Sequence, residues 1–147
     1  MGEVIARRSA VRRPSLSASV AYDSADAGDS VIASARDFTA DFLTAAPAAG
    51  GAPVSQERID LARLVVSELV TNAVRHAPGP CRVLLELFED AVDISVFDRL
   101  DASPVPRPHD PQRIGQHGVE IVMAVCESVS VEPRRSGKRV RARLSLA

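Results

Sequence analysis

Apolar residues recur along this chain with two different periods, and the change of period marks out its elements. Val31, Ala35, Phe38 and Phe42 are spaced as one face of a helix, which Asp29 or Ser30 can cap and which runs to about Ala46. A Pro- and Gly-rich loop covers 47–54, and a second helix starts near Ser55 with Glu57 at its positive end. It continues through L-A-R-L-V-V-S-E-L-V-T-N-A-V-R-H-A and stops before Pro78-Gly79-Pro80. The period then shortens. Arg82 to Phe88 and Val92 to Phe97 are short Val/Ile/Leu-rich runs separated by Glu89-Asp90, which predicts an antiparallel hairpin. Pro104, Pro106, Pro108 and Pro111 make 101–114 a long loop of the kind that often serves as a lid. A third helix is expected after a Gly115-Gln116-His117-Gly118 turn, with Val119, Val122, Met123 and Cys126 on its apolar side. A closing hairpin pairs Val129–Glu132 with Arg139–Leu146 through a turn at Ser136-Gly137. In its last strand Val140, Ala142, Leu144 and Leu146 alternate with Arg139, Arg141, Arg143 and Ser145, one face buried and the other wet. Leu16 to Tyr22 offers a further short strand. Four firm strands in hairpins and three helices predict an α+β, two-layer α/β sandwich with a mixed, mainly antiparallel sheet.

Composition narrows the classes. The 147 residues suit one domain, read here as 15–147, with 1–14 as a disordered basic tail carrying Arg7, Arg8, Arg12 and Arg13. No apolar segment follows those arginines and no run reaches the ~18 residues of a bilayer span, so neither a signal peptide nor a membrane role is expected. A net charge of −1 and 3% aromatics, with no Trp, argue against direct nucleic-acid binding. Cys81 and Cys126 form no C-x-x-C pair and read as small apolar residues in a reducing, cytoplasmic setting.

The stretch E-L-V-T-N-A-V-R-H-A, 68–77, carries the chemistry. Glu68, Asn72 and His76 fall four apart and make a polar stripe along one side of the second helix. On this helix alone a solvated stripe is the slightly favoured reading. The alternative is a Mg²⁺–phosphate site, because Mg²⁺ takes hard oxygen ligands and commonly one or two protein oxygens beside substrate phosphates. Asn72 then offers an amide oxygen, and Glu68, one turn earlier, a carboxylate able to accept a proton. Asp98 ends a strand, where it is either a plain turn residue or an acceptor for an exocyclic amino group. The glycines of G-Q-H-G-V-E-I-V, 115–122, allow close approach of a ligand at a helix start; alone they mark an ordinary turn. A Walker A sequence is absent.

Taken in order, these segments resemble the GHKL ATPase superfamily of gyrase, the histidine kinases and the mismatch-repair ATPases. E-L-V-T-N-A-V-R-H-A is similar to its N box, Asp98 to the G1-box aspartate and Gly115–Val122 to the G2 box. The last hairpin turn corresponds to Ser136–Val140. The short spacing and P-V-P-R lid are nearest to the anti-sigma-factor, serine/threonine-kinase-like branch. The resemblance implies the Bergerat ATP-binding fold, ATP and Mg²⁺ as cofactors, Asn72 as Mg²⁺ ligand and Glu68 as catalytic base. It implies that Asp98 binds the adenine amino group and that Gly115 and Gly118, with His117 and Val119, hold the nucleotide. His76, with Arg75 beside it, falls near the phosphates or at a plain helix end. Two departures stand out: R-L-D replaces the usual glycine after Asp98, and Lys138 stands near the base where many relatives have Thr.

By the same resemblance the chain is an anti-sigma kinase that phosphorylates a serine on an antagonist protein and sequesters a sigma factor. A nucleotide-responsive partner-switching module without catalysis is the second reading, and a stand-alone histidine-kinase-like ATPase domain the third. His76, His109 and His117 all fall within the nucleotide-binding region, which leaves no separate phosphoacceptor helix. Relatives often dimerise, and Arg36–Leu43 offers a contact. The alternating arginines of the last strand, Arg139, Arg141 and Arg143, read as a solvated face that also discourages edge pairing, with a docking surface for a protein partner as the alternative.

Overall fold

The computed structural model describes residues 13–23, 28–76, 79–98 and 114–147, and all their side chains except those of Gly28, His76 and residues 114–118. Apart from Arg13 and Pro14, the expected basic tail lies outside the described residues. So does the expected Pro-rich loop, apart from Ile114.

In chain order the elements are β1 (Leu16–Asp23), α1 (Gly28–Thr44), a short 3₁₀ turn (Ala46–Ala49), α2 (Gln56–His76), β2 (Pro80–Leu87) and β3 (Ala91–Asp98). Then come α3 (Ile114–Val125), β4 (Ser128–Arg134) and β5 (Gly137–Ser145). The strands form one sheet in the order β1-β2-β3-β5-β4. Every pairing among the described residues is antiparallel, in a sheet expected to be mixed but mainly antiparallel. All three helices cover one face: α1 touches β1 and β2, α2 lies over β3 and β5, and α3 touches β4. This is the expected two-layer α+β sandwich.

The core lies between the layers. Val65, Val66 and Val70 of α2 meet Val83 and Leu85 of β2, Val92, Ile94 and Val96 of β3, and Ala142 and Leu144 of β5, nearly all fully buried. Each such aliphatic side chain contributes about 1.5–3 kcal/mol by leaving water.

Several expectations change. The expected short strand at Leu16–Tyr22 is present as Leu16–Asp23, so the sheet has five strands among the described residues. Helix α1 starts at Gly28, which places Asp29 and Ser30 in its first turn instead of at a cap. The Gly115–Gly118 segment is the first turn of α3, not a turn before it. Met123 is 61% exposed, and the apolar side of α3 is carried by the buried Val122 with the partly buried Val125 and, just past the helix, Cys126. Strand β5 is interior, flanked by β3 and β4, so its arginines guard no edge.

Candidate functional site

Helix α2 begins where a cap is available. The Arg58 N–H donates to Ser55 Oγ at 3.2 Å, satisfying one of the helix's free amides, a contact that stabilises by about 1 kcal/mol. From there Ile59, Ala62, Val65, Val66, Leu69, Val70 and Ala73 form the buried face. Arg63 and Ser67 share a groove with Arg36 and so mark the flank towards α1. Helix α3 is the other helix that packs on α2, and at about 100° per residue Glu68 and Asn72 fall about 100° and 140° round from Ser67, on the flank away from α1. Both are half-buried, and among the described residues neither side chain has a hydrogen-bond or ion-pair partner. Arg75 is exposed.

The ends of the elements decide what surrounds that stripe. Near the start of α2, Arg58 Nη1 donates to the Ser145 carbonyl at 3.4 Å, and Ser145 pairs with Ala91. Helix α2 thus begins over the start of β3 and runs the same way. Its 21 residues rise ~30 Å, against ~26 Å for the eight residues of β3. Its Glu68–His76 part therefore reaches the Asp98 end of the sheet. Helix α3 finishes at the opposite end, where the Glu127 N–H donates to the Arg143 carbonyl at 2.8 Å. Running back ~18 Å, its first turn, with Gly115 and Gly118, returns to the Asp98 end. The fold thus brings Glu68, Asn72, Asp98, Lys138 and the Gly115–Val119 turn to one end of the layered structure. The side chains of His76 and His117 lie outside the described set; Val119 is half-buried.

Asp98 is no turn residue. It ends β3 on the face turned to the helices, with only 2% of its side chain exposed. Its carboxylate accepts from Lys138 Nζ at 2.6 Å and from the Lys138 backbone N–H at 3.2 Å. The two residues are directly paired across β3 and β5. A carboxylate this buried must be paired or neutralised, and here the ammonium does the pairing. The charge reaches its neighbours: burial pushes the Cys81 thiol up, and Asp98 beside it adds to the shift. Cys126 is pushed up to about 11, mainly by burial and further by Glu127. Both thiols are free and protonated at neutral pH, as expected of packing residues.

The stripe on α2 and the aspartate at the strand end were legible in the sequence. The ion pair from Lys138 to Asp98 was not. The signal for it is the register of β3 against β5, which depends on a strand order that no local pattern encodes. Among the described residues no helix is long and apolar enough to cross a membrane, and no group of three or more acidic, His or Cys side chains forms a metal cluster.

In comparison with known proteins, the family model of the histidine kinase-like ATPase domain matches residues 29–144, nearly the whole of the described fold. No curated protein matches the chain.

Proposed function

The chain belongs to the histidine kinase-like ATPase domain family, which makes it an ATP-binding protein of the regulatory GHKL type; from that premise we propose that it is a serine/threonine-kinase-type anti-sigma factor acting on an antagonist protein. The observation that carries the proposal is the pair Glu68 and Asn72, half-buried, one turn apart and without partners among the described residues, at the Asp98 end of the sheet.

These residues fit Mg·ATP in their chemistry. Asn72 supplies a neutral amide oxygen and Glu68 a carboxylate, both hard donors, and Mg²⁺ needs few protein oxygens when phosphates supply the rest. When bound, Mg²⁺ neutralises charge on the phosphates and so eases phosphoryl transfer. Asn72 would hold it. Glu68 would accept the proton of the serine hydroxyl that a partner presents, and Asp98 would receive the adenine amino group once Lys138 Nζ gives way. Gly115, Gly118 and Val119, with His117, form the helix start that would receive the phosphates, with Arg75 and His76 at the end of α2. Sigma-factor and antagonist partners, a homodimer and a cytoplasmic setting complete this reading.

The test is radiolabel transfer from ATP to a serine-bearing antagonist. Glu68→Ala should retain ATP binding and lose transfer by about 10²–10⁴-fold, the usual contribution of a general base. Equal transfer by wild type and Glu68→Ala would remove Glu68 from the mechanism. The hold of Lys138 on Asp98 supports one second reading: a partner switch whose nucleotide pocket is closed at the base end until ATP displaces the lysine. That reading predicts ATP-dependent partner binding with no transfer at all.

A further inference from the structure

The sheet face turned away from the helices carries a separate chemistry. Register aligns Ala21, Arg82, Phe97, Arg139 and Glu132 in one row across all five strands. Three guanidiniums gather on the Phe97 ring: Arg82 at 4.7 Å from its centre, Arg134 and Arg139 at 5.0 Å. Attraction to one ring offsets only part of the repulsion among three cations. Burial and the neighbouring Arg141 and Arg134 charges lower the Arg139 pKa, against the opposing pull of Glu132 and Glu86.

The carboxylates on this face are already engaged. Asp93 accepts from Arg143 at 2.7 and 3.1 Å, Glu132 from Arg141 at 3.5 Å, and Glu86 lies 3.7 Å from Arg139. Arg82 and Arg134, both exposed, have no carboxylate partner among the described residues. Beside them opens a hollow of about 260 Å³, which Phe97 and Ser136 also line and which reaches round the rim to Asp98. All three helices lie on the other face.

We infer that this rim binds an acidic polypeptide segment of a partner protein, with Arg82 and Arg134 receiving its carboxylates and Phe97 seating its aliphatic carbons. The planar guanidinium fork matches a carboxylate in two parallel hydrogen bonds, and the cations are already assembled. Nucleic acid fits less well. Glu86, Asp93 and Glu132 interleave the arginines and would repel successive phosphates, whereas a peptide places its charges sparsely. The inference stands without the nucleotide reading, because Arg82 points to the face opposite Asp98.

The experiment titrates fluorescein-labelled octaglutamate into the whole chain and follows anisotropy, with an eight-nucleotide single strand of DNA as the competing arm. Arg82→Ala/Arg134→Ala should bind the peptide about tenfold more weakly, and Arg36→Ala on the helix face should bind it as wild type does. Binding should weaken as salt rises. In the wild-type protein, Arg82 and Arg134 side-chain N–H resonances should shift on adding the peptide, a readout that does not depend on how a variant folds. Unmoved resonances, equal affinity for wild type and double variant, or tighter binding of DNA than of peptide would overturn the proposal. So would a loss of ATP affinity in the double variant, which would assign these arginines to the nucleotide instead.

Discussion

Lys138 decides how the proposed base pocket behaves, because its ammonium stands 2.6 Å from Asp98, the carboxylate proposed to receive adenine. An incoming amino group must displace a charge-assisted hydrogen bond, a stronger contact than the neutral donor it brings. Lys138→Thr should therefore tighten ATP binding by about tenfold and sharpen the preference for ATP over GTP. The unliganded variant should also melt earlier, since Asp98 loses its pairing charge. Calorimetry and thermal unfolding read both effects; weaker ATP binding in Lys138→Thr would show that the lysine holds nucleotide instead of blocking it. At this scale the sequence was legible where placement depends on local spacing. Glu68 and Asn72 are four apart on one helix, so their mutual placement follows from helical geometry alone. Asp98 and Lys138 are 40 residues apart in sequence, and their contact depends on which strands become neighbours.

At the scale of elements, the alternating arginines of β5 show how a correct local reading can miss its context. The alternation itself holds: Val140, Ala142 and Leu144 are buried, and Arg139, Arg141 and Arg143 take the other face. An edge strand was expected because the segment comes last in the chain. The β4–β5 hairpin instead inserts β5 beside β3, so its arginines meet a second strand and find acceptors there. Arg143 is the sharpest case. Its guanidinium grips Asp93, whose side chain is 3% exposed, and stacks 4.9 Å from the centre of Phe88. The Asp93 hydrogen bond raises the Arg143 pKa more than burial lowers it. Arg143→Met should cost about 3–5 kcal/mol in urea unfolding, because it strands a buried carboxylate. Arg143→Met/Asp93→Ala should recover part of that loss, and an Arg143→Met variant as stable as wild type would refute the role of the pair.

For the molecule as a whole, hydropathic period was enough to place three helices, two hairpins and the two-layer α+β arrangement. It gave a mainly antiparallel sheet, left the strand order open and left β1 uncertain. Small residues weaken the apolar signal of β1, and its inward face is only half-buried. What the layers achieve together is convergence: α2 ends, α3 begins and β3 ends at the same edge, so groups from three separate elements, Asn72, Asp98 and Gly115 among them, become neighbours. The central claim is that this edge receives Mg·ATP through Asn72, and isothermal calorimetry tests it most directly. Wild-type protein should bind ATP in the presence of Mg²⁺, bind it far less with the metal chelated, and discriminate against GTP. Asn72→Ala should lose at least about tenfold in affinity, nearly all of it from the Mg²⁺-dependent part. Wild type and Asn72→Ala binding ATP equally well, with or without Mg²⁺, would contradict the account.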